Sequence, residues 1–388
     1  MKVPLKWLAD YVDMAISPGE LAQRLTVAGL EVAGFRSYGL PVPEGLKVRQ
    51  DEVGPIWERD KVFIARLVRV DKHPDADKLK LPFVEYGEGR QTQLVTGAPN
   101  IIVGDAGLRV VIGLAGTVFW DGHVSPKKLA TLVPKPVRGI PSEGMVMSNF
   151  ELGINEEHEG IIVLEEDAPV GVPFADYAGD IVLEIDVLPN MARCLSLVGI
   201  ARELAALTGQ KLKHPPTPTA GTGPSITGRV TVQIEDTRLC PRYSAALIEG
   251  VSDGPAPGMM ARRLTYAGMR PISKLVDITN YVMLELGQPL HAFDFDVLKE
   301  RAGGATPTIT IRPAKAGETL VTLDDKERKL TPEMLVIADA RGPIALAGVM
   351  GGKETEVSAK THNVLLESAS FDPVSIRRTA RALDLNSE

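Results

Sequence analysis

Aromatic residues make up only 5% of this 388-residue sequence, so its cores must be built from Leu, Val, Ile and Ala. Cysteine is scarcer still. The two present, Cys194 and Cys240, form no C-x-x-C pair and no metal-ligand spacing. That excludes a disulfide framework and points to a reducing compartment. No apolar run approaches the length of a membrane-spanning helix, and the opening M-K-V-P-L-K-W-L-A-D-Y-V interrupts its apolar residues with charge, unlike a signal-peptide core. The expected location is the cytoplasm, with no membrane partner. A basic excess is missing too. At a formal net charge of −7, no whole-molecule field draws in a polyanion, so any nucleic-acid contact must come from local patches or from shape.

What remains is a soluble globular composition, 44% apolar and 24% charged, on a chain long enough for two or three domains. Leu5, Leu8 and Val12 fall at helical spacing. Ser17-Pro18-Gly19-Glu20 then carries an N-cap, a Pro at the first helical position and a Glu three residues after the cap, predicting a helix that Gly29 stops. Strand-like L-E-V-A-G-F follows. From about Lys61 the period becomes that of strands: V-F-I-A-R-L-V-R-V, then L-P-F-V-E-Y and T-Q-L-V-T around a Gly87-Glu88-Gly89 turn, then L-R-V-V-I-G-L and G-T-V-F-W. Short strands with glycine turns over roughly a hundred residues suit a small closed barrel, an OB-fold or equally an SH3-like one. Ser196 predicts the cap of a helix over L-V-G-I-A-R-E-L-A-A-L-T, with Arg202 and Glu203 solvated. The Pro-, Thr- and Gly-rich stretch from Lys211 to Gly228 reads as a linker. Beyond it, strands alternate with helices near Met259 to Met269 and Val374 to Leu383, an α+β or α/β pattern.

Three constellations carry chemical content. In H-P-D-A-D-K-L (His73 to Leu79) with V-T-G-A-P-N (Val95 to Asn100), a polar loop at a strand end could meet RNA. Lys72, Lys78 and Lys80 would be phosphate contacts, and Lys127, Lys128, Lys135 and Arg138 a second patch. The plainer reading is a solvated turn and a Lys-rich surface. This stretch, from about Val62 through E-G-M-V-M-S (Glu143 to Ser148), resembles the tRNA-binding OB module shared by several aminoacyl-tRNA synthetases. The resemblance implies tRNA contacts at Lys72, His73, Lys78, Lys80, Asn100, Lys127 and Lys128.

P-N-M-A-R-C-L-S-L-V-G-I-A-R-E-L-A (Pro189 to Ala205) is similar to a block of the phenylalanyl-tRNA synthetase beta subunit, although Met191 and Arg193 stand where that family has Arg and Asp. More specific are T-N-Y-V-M-L-E-L-G-Q-P-L-H-A-F-D (Thr279 to Asp294), C-P-R-Y (Cys240 to Tyr243), A-L-A-G-V-M-G-G (Ala345 to Gly352) and N-V-L-L-E-S-A-S-F-D-P-V-S-I-R-R-T-A-R (Asn363 to Arg381). These follow the family's order over most of the last 150 or so residues. The family's subunit is about twice as long, so the chain is expected to be a fragment.

What the resemblance implies is an α+β multidomain chain: an α+β N-terminal domain (1–40 plus 153–210) interrupted by an OB-fold barrel (50–152), a linker (211–229) and an α+β editing domain (230–388). In the family this last domain hydrolyses tyrosine wrongly esterified to tRNA(Phe). By match, Glu367 recognises the tyrosine hydroxyl as an ionised acceptor, and His291 orients a water or the tyrosyl group. Thr279 supplies a pocket hydroxyl, Gly351 leaves room for the ester or terminal ribose, and Ser387 stands where the family has a pocket-closing Thr. Read without the resemblance, Glu367 is a strand-end Glu paired with Arg377 or Arg378, His291 a structural histidine, Thr279 a β-branched strand residue and Gly351 a turn glycine. The implied holoenzyme is a heterotetramer of two beta subunits with two alpha subunits, which hold the ATP, magnesium and phenylalanine chemistry. This chain is expected to bind no cofactor or metal itself. An alternative is a tRNA-binding or scaffold fragment with no activity of its own.

Overall fold

The computed structural model describes residues 1–50, 52–122, 124–157, 159–216 and 221–385. Two compact units divide the chain: Met1–Pro215 with Pro257–Arg270, and Pro216–Ala256 with Pro271–Glu388.

The first unit holds two sheets. One places Lys2–Pro4, Asp180–Asp186, Glu31–Tyr38 and Arg49–Gln50 side by side, so residues at the start of the chain pair with residues some 180 positions later. The intervening segment is thereby an excursion from this sheet. The helices Pro18–Val27 and Leu197–Thr208 lie against one another. Each has the predicted cap: Ser17 accepts from the Glu20 N–H, and Ser196 from the Gly199 N–H at 3.0 Å. The first predicted helix shrinks to the single turn Leu5–Leu8. Glu203 is not simply solvated. It accepts from Arg193 at 2.7 Å, so Arg193 makes its own local ion pair, while Met191 is buried.

The excursion forms an antiparallel sheet in the order Gly144–Val146, Arg109–Leu114, Val62–Lys72, Lys80–Glu85, Gln91–Gln93, with Val163–Leu164 also on Arg109–Leu114. Central Val62–Lys72 starts as a continuous apolar run because both of its faces are covered. Phe63, Ala65 and Leu67 enter a core with Val84, Val110 and Ile112, whereas Val62 and Ile64 enter another with Trp57, Val111 and Phe174. The hairpin falls at Gly87-Glu88-Gly89, all three at positive φ. The strand Val118–Asp121 leaves this sheet and pairs with Lys128–Thr131. Tyr266, on the helix Gly258–Tyr266, stacks on Tyr38 with centroids 3.9 Å apart and donates to the Ala178 carbonyl, which ties that helix into this unit.

The second unit has a five-stranded sheet, in the order Thr231–Ile234, Thr308–Pro313, Leu335–Asp339, Gly342–Leu346, Met350–Gly351. Beside it is a three-stranded one with Asn363–Ser370 between Arg242–Glu249 and His291–Asp294. A shared core of Ile309, Ile311, Ile337, Phe293, Leu298 and Leu365 joins the layers. The helices are Lys274–Leu286, Phe295–Arg301 and Pro373–Ala382. Arg301, 7% exposed, is paired with Asp339 through two hydrogen bonds and with Glu354.

Candidate functional site

The three-stranded sheet of the second unit sets its polar cluster by register. In an antiparallel pair, directly opposed residues share a face, and alternate positions along each strand return to it. Leu247, Leu365 and Phe293 form one cross-strand row on the core face. The next row on that face is Ala245, Glu367 and His291. A carboxyl and an imidazole thus sit where a core row would continue, with only a methyl group on the third strand.

The strand carrying His291 is held at both ends. Gly287, at φ 82°, terminates the preceding helix, and Gln288 donates to the Ala369 carbonyl at 3.2 Å. At the other end Asp294 accepts from the N–H groups of Asp296 and Val297, capping the next helix, and from the Thr361 hydroxyl at 2.6 Å. His291 packs edge-on against Phe293, with centroids 4.5 Å apart. The space in front of Gly351 is taken by this same ring: a Cβ there would lie 2.4 Å from His291 Cε1 and 2.8 Å from Nε2. The missing side chain of Gly351 therefore makes room for His291 itself.

The electrostatics follow from burial. Glu367 is 6% exposed, and loss of hydration pushes its carboxyl up to about 8, against a smaller lowering by the hydroxyl of Tyr243. No cation compensates: among the described residues Glu367 makes no ion pair with Arg377 or Arg378. At neutral pH burial therefore favours the protonated form of this carboxyl. Burial also pulls His291 down to about 4, so its imidazole is neutral. Tyr243 stays protonated, its phenol raised by burial and by Glu367. Its hydroxyl lies beside Glu367 without completing a hydrogen bond. Glu367 Oε2, His291 Nε2 and Tyr243 Oη are all buried with no partner. Orphaned buried polar atoms are uncommon and each calls for a reason.

Thr279 stands on the helix Lys274–Leu286, not on a strand, and its hydroxyl donates to the Val276 carbonyl at 2.7 Å. Its proton is spent locally; its lone pairs remain. Ser387 lies outside the described residues. Tyr243 was not singled out from sequence, although the alternation of R-Y-S-A-A-L-I-E puts it on the face of Ala245. Two described cavities, of about 150 and 350 Å³, are lined by other residues, including Tyr38 with Glu184 and Arg312 with Glu318.

The first unit disperses the expected phosphate contacts. His73 is fully buried: its Nδ1 accepts from the Asp75 N–H, and with its other nitrogen protonated it donates to the Val137 carbonyl at 3.3 Å. It pins the loop from inside and has no polar atom left for RNA. Asn100 is likewise engaged, clamping both backbone groups of Ile161. Lys127 is held by Glu52 and Glu156, Lys72 lies 3.1 Å from Asp77, and Lys80 donates to the Ala98 carbonyl. Lys78 and Lys128 are exposed and carry no ion pair among the described residues. Sequence reading passed over Arg69, whose guanidinium lies 3.4 Å above the Phe83 ring.

Two family models match stretches of this chain. A family model described as a tRNA binding domain matches residues 62–173, and the B3/4 domain model matches residues 239–388. The phenylalanine–tRNA ligase beta subunit of Dehalococcoides mccartyi strain 195 is 47% identical over all of this chain and 44% of its own length. That of Moorella thermoacetica is 46% identical over all of this chain and 45% of its own. The chain thus spans less than half the length of these curated relatives. Among solved structures, an N-terminal fragment of the phenylalanyl-tRNA synthetase beta subunit from Pyrococcus horikoshii covers 52% of this chain and 61% of its own. Its 17% identity and TM-score of 0.29 are too low to bear on the fold.

Proposed function

We infer that this chain, a homologue along its whole length of the beta subunits of an aminoacyl-tRNA synthetase, phenylalanine–tRNA ligase, is the part of such a subunit that engages tRNA(Phe) and removes wrongly attached tyrosine. On this reading the sheet of residues 62–146 closes as an OB-type barrel and meets RNA through its exposed cations, Lys78 and Lys128 foremost. The Glu367 cluster is the editing site. ATP- and magnesium-dependent charging belongs to alpha subunits paired with it in a heterotetramer of two alpha and two beta subunits, working in the cytoplasm.

The observation that carries the editing reading is the set of buried, unpartnered polar atoms around Glu367. An apolar pocket shaped for phenylalanine rejects an analogue that merely adds a hydroxyl by only about a hundredfold. A second site whose polar atoms are satisfied only by that hydroxyl adds discrimination, because phenylalanine leaves them unpaired at about 1–3 kcal/mol. The carbonyl oxygen of a protonated Glu367 accepts a phenol proton, and an ionised one accepts it more strongly. A His291 titrating at about 4 is a weak general base at neutral pH and better suited to orienting water. The nucleophile is water, assisted by the terminal ribose hydroxyl of the tRNA, with the chain positioning the ester. The test is to supply the purified chain with Tyr-tRNA(Phe) and Phe-tRNA(Phe) separately. Faster loss of tyrosine supports the reading, and equal background rates with a folded protein favour a binding fragment without activity.

A further inference from the structure

Tyr243 pairs with Ala369 across the sheet, so it stands diagonally from Glu367, two residues along the same face. Diagonal positions lie roughly 7–8 Å apart at Cα, within reach of a long aromatic side chain. The residue directly opposite Glu367 is Ala245, which presents only a methyl group on that face. Tyr243 Oη and Glu367 Oε2 are neighbours, both buried and both unpartnered. A phenol has one proton to give and lone pairs to receive with, as does any hydroxyl entering between them.

We propose that Tyr243 is a second specificity residue of the editing site, donating its O–H to the oxygen of the substrate's phenol while that phenol donates its own proton to Glu367 Oε2. The chain of two hydrogen bonds satisfies both orphaned atoms with one ligand hydroxyl. A phenylalanyl ring in the same place satisfies neither. Tyr243 can play the donor because burial and the neighbouring carboxyl keep its proton in place. The proposal rests on the editing reading of the Glu367 cluster.

The experiment measures equilibrium binding of L-tyrosinamide and L-phenylalaninamide, whose amides stand in for the ester, to the full chain and to its Tyr243→Phe and Glu367→Ala variants. Tyr243→Phe keeps the ring and removes only the hydroxyl, and its thermal midpoint is recorded beside the parent's. The expected result is a parent that prefers tyrosinamide and a Tyr243→Phe variant whose preference falls about tenfold, the loss of one hydrogen bond, with phenylalaninamide binding unchanged. A Tyr243→Phe variant that keeps the parent's preference while Glu367→Ala loses it overturns the role of Tyr243 and leaves the editing reading standing. A parent with no preference overturns both.

Discussion

Replacing Glu367 by glutamine keeps the size and shape of the side chain and removes its titration. The buried carboxyl holds its proton to about pH 8 in the folded unit, against 4.5 in the unfolded chain. Below 4.5 both states are protonated and burial costs nothing through this linkage. As the pH rises the unfolded state ionises first, so stability falls across the interval. Each pH unit corresponds to about 1.4 kcal/mol, giving a ceiling of about 4 kcal/mol between pH 5 and 8. His291 works the other way: its value is lowered from 6.5 to about 4, so stability falls as the pH drops through that range. The two slopes oppose between about 4.5 and 6.5, and only that of Glu367 remains above. The assay is urea unfolding of parent and Glu367→Gln at half-unit steps from pH 5 to 8, read through a probe in the second unit. Taking the difference between the two proteins removes every other titrating group. The variant should gain on the parent steadily as pH rises, by up to about 4 kcal/mol. Parallel curves would mean that Glu367 is ionised in the folded protein and that the account of its surroundings is wrong.

Further outcomes follow from the same geometry. Gly351→Ala forces a Cβ into the His291 ring and should destabilise the second unit by about 1–3 kcal/mol in urea unfolding, with loss of tyrosine binding. His73→Ala removes a buried loop pin, so it should lower the thermal midpoint of the first unit yet leave the salt dependence of tRNA(Phe) binding unaltered. Lys78→Ala with Lys128→Ala should do the reverse, weakening tRNA binding and reducing the slope of log K against log salt by about 1 for each phosphate no longer neutralised. Lys127→Ala, already held by Glu52 and Glu156, should change that slope little.

Features set by neighbours in the chain were legible. Ser17 with Pro18 and Glu20, Ser196 ahead of its helix, and the Gly87-Glu88-Gly89 turn each specify their conformation within four residues. What was not legible depends on distant partners. A histidine in a polar, Pro-containing loop looks solvent-facing until Val137, 64 residues on, supplies its carbonyl. Lys127 looks like a free cation until Glu52, 75 residues back, is brought beside it. The helix Lys274–Leu286 escaped notice; its buried positions are Asp277 and Thr279, so polar residues stand where an apolar core face is looked for. In the Glu367 cluster, the residues named came from the family resemblance, which whole-chain similarity to the beta subunits bears out. The sheet register explains why Glu367 and His291 meet, and adds Tyr243.

The most direct test is the release of labelled tyrosine from Tyr-tRNA(Phe) by this chain and by Glu367→Ala, with Phe-tRNA(Phe) as the reference in each. The account predicts that the parent strongly prefers the tyrosyl ester and that the variant's preference falls by at least about tenfold, the value of one satisfied buried polar group. A variant that discriminates as well as the parent would contradict it and take hydroxyl recognition away from Glu367.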